Sequence, residues 1–118
     1  MRASPAILDC TLRDGSYVVD FAFTKETTRK FAARIGQLGF PYIEVGHGIG
    51  LGASAKGMGV AAASDQDYME AAHFAHASSP HAGKWGMFCI PGIASLEDVD
   101  LAGEYRMDFI RIGCEVAD

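Results

Sequence analysis

The sequence predicts an α/β fold with a parallel sheet, and two observations carry that prediction. First, four short apolar runs alternate with three helical patterns in the order β-α-β-α-β-α-β, which is typical of parallel strands joined by helical crossovers. Second, one face of these strands is charged, which favours a barrel interior over an open doubly wound sheet with helices on both faces. The four runs are residues 6–12, 42–45, 85–90 and 109–114.

The charged face follows from the alternation of side chains along a strand. It carries two acids and two bases from three of the strands, namely Asp9, Arg13, Glu44 and Arg111. The opposite face is expected to be apolar and holds Leu8, Cys10, Leu12, Ile43, Val45, Ile110 and Ile112. Because buried charges must be paired, we expect ion pairs here, either in an active site or in a purely structural network.

The first helical pattern lies between the first two strands. Thr24 is a suitable N-cap, and Phe31, Ile35 and Leu38 form an apolar stripe at spacing i, i+4, i+7. Gly39 is expected to end this helix.

Two further helices begin at capping-box signals, in which a serine is followed three residues later by an acidic residue. Ser64 with Asp67 predicts a helix over 65–77, and Ser95 with Asp98 predicts one over 96–105. The glycine-rich segment 46–59 should be a long loop after the second strand, and we interpret it as a mobile flap over the barrel mouth.

Composition narrows the function classes. The 118 residues fit one domain, 1–118, and the net charge of −5 argues against a nucleic-acid or anionic-membrane surface. The sequence has no run of 18 apolar residues and no signal-peptide pattern at its start, so a cytoplasmic protein is expected. Cys10, Cys89 and Cys114 lack metal-site spacing and are expected to be small buried hydrophobes.

Two motifs resemble the DRE-TIM metallolyase superfamily, and within it the 4-hydroxy-2-oxovalerate aldolases. They are Thr-Leu-Arg-Asp-Gly-Ser at 11–16 and Ile-Glu-Val-Gly-His-Gly at 43–48. The likeness continues through 50–51, 67–68 and 91–93 to Cys114, Glu115 and Asp118. It implies the N-terminal half of a TIM (β/α)8 barrel, with the site at the carboxyl ends of the strands.

The resemblance also implies roles for three residues. Asp14 would ligate a divalent metal, Mn²⁺ or Mg²⁺, since a carboxylate oxygen suits a hard cation. Arg13 would stabilise the enolate oxygen of a pyruvate-like intermediate, and Glu44 would hold Arg13 and balance its charge.

The sequence departs from these aldolases at two places. Tyr17 stands where they have a histidine base, and tyrosine is the weaker base at neutral pH by roughly three pKa units. We expect Tyr17 to donate a hydrogen bond, with His47 as a substitute base or as a residue that only shapes the loop. The superfamily's other metal ligands, a His-x-His pair, are absent, and we expect His73, His76 and His81 to be solvated.

The resemblance implies an aldolase that cleaves a 4-hydroxy-2-oxoacid to pyruvate and an aldehyde. A TIM barrel needs eight strands, whereas this sequence predicts four. The chain could therefore be a fragment, a subunit completed by a second chain, or a self-paired half-barrel. An aldehyde dehydrogenase partner is a further implication. The alternatives are an acyl-CoA condensing enzyme or lyase of the same superfamily, and a non-catalytic assembly or regulatory subunit.

Overall fold

The computed structural model describes residues 4–79 and 83–115 and contains four parallel strands in one sheet. The strands lie in the order β1-β2-β3-β4, and each pairs with the next one along the chain. A doubly wound sheet would reverse its strand order at a switch point, so the consecutive order confirms half of a (β/α)8 barrel. The elements are β1 (Leu8–Asp9), α1 (Thr11–Asp14), a 3₁₀ helix (Gly15–Val19), α2 (Lys25–Gln37), β2 (Tyr42–Val45), α3 (Asp65–Ala77), β3 (Lys84–Cys89), α4 (Leu96–Glu104) and β4 (Phe109–Ile112).

The first strand is shorter than the sequence predicts, and its second half forms a helical turn instead. The Asp9 carboxylate accepts hydrogen bonds from the backbone N–H and the hydroxyl of Thr11, at 3.0 and 3.1 Å. The N–H groups of Arg13 and Asp14 both donate to the carbonyl of Cys10, which closes the turn. The predicted alternation is therefore wrong along β1, because Asp9 is in register with the buried Ile43 and lies on the face opposite Glu44. Its carboxylate binds Thr11 at the start of the turn.

All three predicted helix caps are confirmed. The hydroxyl of Thr24 accepts the N–H of Thr27 at the start of α2. Ser64 and Ser95 each form a complete capping box, with Asp67 at the start of α3 and Asp98 at the start of α4.

The predicted apolar stripe of α2 is wrong at two of its three positions. Ile35 is buried, but Phe31 and Leu38 are 53% and 66% exposed. The buried face instead combines Ile35 with the small residues Thr28, Ala32 and Gly36. Small residues let this helix lie close to its neighbours, and that requirement outweighs the hydrophobicity of Phe31.

The core lies between one face of the sheet and the helices. Ile43, Val45, Trp85 and Met87 supply the sheet side, and residues of α2, α3 and α4 supply the other side. Among the cysteines, Cys89 is buried as predicted, Cys10 is half-buried, and Cys114 is exposed because it lies beyond the end of β4. No helix within 4–79 and 83–115 is long and apolar enough to cross a membrane.

The histidine predictions hold only in part. His76 is half-buried, and its Nδ1 lies 2.7 Å from the Gly83 carbonyl, so it joins the end of α3 to the segment that enters β3. The prediction that it is solvated is wrong. His81 and Asp118 lie outside the described residues.

The glycine-rich loop after β2 has two parts with different surroundings. Residues 46–48 and 50–53 are buried, and the N–H of Leu51 donates to the carbonyl of Phe88 on β3 at 2.9 Å. Gly50 makes this approach possible, because a Cβ there would lie 2.5 Å from the Phe88 oxygen. The interpretation as a mobile flap therefore does not fit this first part, whereas residues 55–60 are exposed at the surface.

Candidate active site at the carboxyl ends of the strands

The centre of the site is Glu44, whose side chain is completely buried on the sheet face away from the helices. Its Oε1 accepts a hydrogen bond from Arg13 Nε at 2.8 Å. Arg111, from β4, donates two hydrogen bonds of 2.7 Å to Glu44, from Nε to Oε2 and from Nη2 to Oε1. One carboxylate thus holds two guanidinium groups that lie 31 and 67 residues away in sequence.

The ring of Phe88 packs against the guanidinium groups of both Arg13 and Arg111. The Cζ atoms of Arg13 and Arg111 are each 4.8 Å from the centroid of its ring, a distance at which cations are attracted to aromatic faces. The ring thereby limits the positions that either guanidinium can take.

The ion pairs of the cluster favour the charged states of Glu44 and Arg111. Burial of the Glu44 carboxylate raises its pKa, but the hydrogen bonds and charges of Arg111 and Arg13 outweigh that effect, so its pKa is below the ordinary value. The hydrogen bonds with Glu44 raise the pKa of Arg111. Glu44, Arg13 and Arg111 together carry one net positive charge, and the Asp14 carboxylate, 3.6 Å from Arg13 Nη1, balances it.

Arg13 reaches this cluster from the helical turn after β1. Besides its contact with Glu44, its Nη1 donates to the carbonyl of Gly48 at 2.9 Å. Its Nη2 donates to no group within residues 4–79 and 83–115. Asp14 follows directly, with a side chain that is 64% exposed and an oxygen 3.6 Å from Arg13 Nη1.

Tyr17 lies beside this pair on the 3₁₀ helix and is half-exposed. Its ring lies across Gly48, where a Cβ atom would come within 2.9 Å of Tyr17 Cε2 and Cζ. Phe21 supports the ring edge-on at 5.5 Å between centroids. The glycine is therefore needed for this placement of the phenol.

His47 is buried and both of its ring nitrogens are engaged. Nδ1 accepts the backbone N–H of Ile49 at 3.0 Å, so Nε2 carries the proton and donates to the carbonyl of Gly59 at 2.9 Å. The ring also stacks on Phe21 with 4.0 Å between centroids. These contacts favour the alternative in which His47 shapes the loop, because a general base needs a free nitrogen that the substrate can reach.

A cavity of about 700 Å³ opens at the carboxyl ends of the strands. The lining is mostly apolar and includes Tyr17, Ile49, Met58, Phe88, Ile93 and Cys114. Phe88 lines the cavity and also packs against Arg13 and Arg111, so one side chain joins the cavity wall to the charged cluster.

Asp14 is the residue that fits a divalent metal best, as an exposed carboxylate at the edge of the strands. However, no three His, Cys, Asp or Glu side chains converge within residues 4–79 and 83–115. The described part of the chain therefore does not by itself bring together three such ligands.

The structure brings Arg13, Asp14, Tyr17 and Glu44 to one mouth and places His47 behind it in the loop. Sequence reasoning put Arg111 on the charged face but assigned it no role in the site. It missed Phe88, although the same alternation along β3 would have placed this residue on the charged face, opposite the buried Met87. The close approach of Tyr17 and Gly48 leaves no signal in the sequence.

Comparisons with known proteins give a consistent result. A sequence model described as HMGL-like matches residues 4–118. The oxaloacetate decarboxylase of Mycobacterium tuberculosis (strain ATCC 25618 / H37Rv) is 42% identical over 113 residues, which cover 96% of this chain and 32% of that protein.

Two aldolases are similarly close. The 4-hydroxy-2-oxovalerate aldolase of Carboxydothermus hydrogenoformans is 38% identical over 114 residues, covering 95% of this chain and 33% of that protein. The 4-hydroxy-2-oxovalerate aldolase 2 of Rhodococcus jostii (strain RHA1) is 40% identical over 114 residues, covering 95% and 32%. The chain spans about a third of the length of the curated relatives that it matches.

Proposed function

The chain belongs to the HMGL-like family, which confirms the resemblance to the metallolyases, and from this premise we propose that it provides part of the active site of a carbon–carbon lyase. The substrate would be a 2-oxoacid that is cleaved between C3 and C4 to give pyruvate. The observation that carries this proposal is the Arg13–Glu44 ion pair beside Phe88 of the cavity wall, in which Arg13 Nη2 has no partner within residues 4–79 and 83–115.

The leading reaction is retro-aldol cleavage of a 4-hydroxy-2-oxoacid. The C3–C4 bond breaks, its electron pair moves onto the C2 carbonyl oxygen as an enolate, and the 4-hydroxyl proton passes to water as the aldehyde forms. Arg13 would donate hydrogen bonds to the enolate oxygen, and a permanently charged donor at a developing oxyanion is an effective stabiliser. Glu44 would keep Arg13 in place. Protonation at C3 then gives pyruvate, with Tyr17 as the proposed donor.

Asp14 would hold a divalent cation, Mn²⁺ or Mg²⁺, together with ligands from outside the described residues. When bound, such a cation polarises the 2-oxo group. The exposed carboxylate of Asp14 supports this assignment, and the 3.6 Å contact with Arg13 would keep the two groups on the same side of the cavity.

Decarboxylation of a 2-oxoacid whose C4 is a carboxylate, as in oxaloacetate, is the second candidate, and one observation favours it. Cleavage of the 4-hydroxy substrate needs a base for the hydroxyl proton, whereas loss of CO₂ leaves the same enolate and removes no proton. His47 has both nitrogens engaged, and tyrosine is a weak base at neutral pH. The relative named oxaloacetate decarboxylase is consistent with this alternative.

The experiment is a pyruvate-release assay on the intact natural protein, with any chain that copurifies and with Mn²⁺ added. The substrates are 4-hydroxy-2-oxopentanoate and oxaloacetate, and the faster substrate identifies the reaction. Arg13→Ala should lower kcat/KM by about 10²–10³-fold while metal binding persists, and Asp14→Asn should weaken metal binding. Arg29→Ala, on the exposed surface of α2, is the matched control.

Release of pyruvate from neither substrate would contradict the lyase proposal. Consumption of acetyl-CoA would instead identify an acyl-CoA condensing enzyme. No activity in any of these assays, together with no bound metal, would favour an assembly or regulatory subunit. Native mass spectrometry of the same sample tests three proposed associations: a second chain that completes the barrel, a homo-oligomer, and an aldehyde dehydrogenase partner. A cytoplasmic location stays a prediction.

A further inference from the structure

The contacts of Glu44 raise the question of why one carboxylate holds two arginines. A carboxylate that faces a single arginine tends to form two parallel hydrogen bonds with it. Glu44 does not do so with Arg13, which contributes Nε alone at 2.8 Å. The two-bond arrangement belongs to Arg111, which occupies Oε2 through Nε and shares Oε1 through Nη2.

This sharing has a consequence for Arg13. With Arg111 lying along both carboxylate oxygens, Arg13 meets Glu44 through Nε and forms no second hydrogen bond with it. Its Nη1 instead contacts the carbonyl of Gly48 at 2.9 Å, beside Tyr17 at the cavity mouth. Phe88, with its ring centroid 4.8 Å from each guanidinium Cζ, keeps both arginines on one side of the sheet.

We infer that Arg111 is a positioning residue: by lying along both oxygens of Glu44 it restricts Arg13 to its Nε contact and leaves Arg13 Nη2 for the reacting oxygen. The inference rests on the proposed function insofar as Arg13 stabilises an enolate there. Arg111 itself touches no reacting atom. Without it, Glu44 would take Arg13 in a two-bond pair and withdraw its donors from the mouth.

The test uses Arg111→Lys. Lysine keeps the positive charge beside buried Glu44, but it has no planar guanidinium group that can bind both carboxylate oxygens at once. The first readout is the ¹⁵N–¹H spectrum of the arginine side chains in the 118-residue chain. We expect the Arg13 Nε–H signal to shift and Arg13 to give the pattern of a two-bond pair. Arg29→Lys, on the exposed surface of α2, is the matched control and should leave the Arg13 signal unchanged.

The second readout is the pyruvate-release assay on the intact natural protein. We expect Arg111→Lys to lower kcat by about 10–100-fold with KM changed less than twofold, since a group lost only from the transition state lowers kcat. A purely structural residue would alter stability without this division between kcat and KM. An unchanged Arg13 signal would overturn the inference, and so would a rise in KM at constant kcat, which would mean that Arg111 binds substrate directly.

The two proposals can fail separately. If the wild-type protein releases no pyruvate from either substrate, the lyase proposal is wrong, but the Arg13 signal still decides whether Arg111 positions Arg13. If Arg111→Lys does not fold, Arg111→Met takes its place, because it leaves Glu44 with Arg13 as a charged partner and changes nothing on Arg13 or Glu44. In that protein the Arg13 signal should again differ from the wild type, and an unchanged signal would overturn the inference.

Discussion

Replacing Glu44 with glutamine tests the energetics of the charged cluster most directly. Glutamine has nearly the same shape but is neutral, and its amide NH₂ group cannot accept the hydrogen bond that Arg111 Nε donates to Oε2. The wild-type carboxylate is completely buried and accepts three hydrogen bonds of 2.7–2.8 Å. Breaking a buried pair by removing one partner costs about 3–5 kcal/mol.

We expect Glu44→Gln to lower the free energy of unfolding by about 3 kcal/mol, the lower end of that range. The reason is that the two arginines differ in their exposure to water after the carboxylate is lost. The Arg13 side chain is 11% exposed and loses its partner in a dry environment, whereas Arg111 is 44% exposed and can regain water. For a chain of this length the loss corresponds to a fall in Tm of roughly 10–18 °C.

The assay is thermal unfolding followed by circular dichroism at several pH values. Folding lowers the pKa of Glu44, so its stabilising contribution is fully present above its ordinary pKa of 4.5 and is lost as the pH falls through the folded value. The difference in Tm between wild type and Glu44→Gln should therefore be largest near neutral pH and should shrink in acid.

Glu26→Gln, in an exposed ion pair with Arg29, is the control and should leave Tm almost unchanged. Equal Tm values for wild type and Glu44→Gln at pH 7 would refute the reasoning, because the ion pairs would then do no more than offset desolvation.

Three further predictions concern the loop and the helices that support the site. Gly48→Ala should cost about 1–3 kcal/mol of unfolding free energy and should lower turnover, since the new Cβ would lie 2.9 Å from the Tyr17 ring; urea unfolding and the pyruvate assay measure the two effects. Asp65→Asn should raise Tm at neutral pH but not in acid. Burial and the nearby charge of Asp98 raise the pKa of Asp65, although the hydrogen bond from the Gly52 N–H lowers it. Folding therefore favours the protonated carboxyl, and ionisation of Asp65 lowers the stability of the fold as the pH rises. Ser64→Ala should cost about 1 kcal/mol in urea unfolding, because it removes the N-cap of α3.

Each of these predictions has a control or a contrary outcome. Gly103→Ala on α4 meets no atom within 4 Å and should leave stability the same or slightly higher. A Tm for Asp65→Asn below the wild-type value at pH 7 would mean that the bond to Gly52 outweighs the cost of burial. Ser95→Ala should match Ser64→Ala, and a much smaller loss at either position would show that its capping box contributes little.

The sequence predicted some elements of the fold well and others poorly. Both capping boxes were predicted correctly because a serine and an aspartate three residues apart bond to each other's backbone without outside help. The buried face of α2 was not, because Ala32 and Gly36 carry little hydrophobic signal and become buried only through close packing. The end of β1 at Asp9 was also missed, because alternation of side chains cannot reveal that a carboxylate will turn the chain.

By itself the sequence determined the order of strands and helices, the helix starts, and the motifs that place Arg13, Asp14, Tyr17 and Glu44 at the ends of strands. These features depend on hydrogen bonds and periodicities that act over a few residues. The tertiary structure alone decided that Glu44 serves two arginines and that His47 has no free nitrogen. Those partners are brought together by the register of parallel strands and by burial, and neither is encoded in any short stretch of sequence.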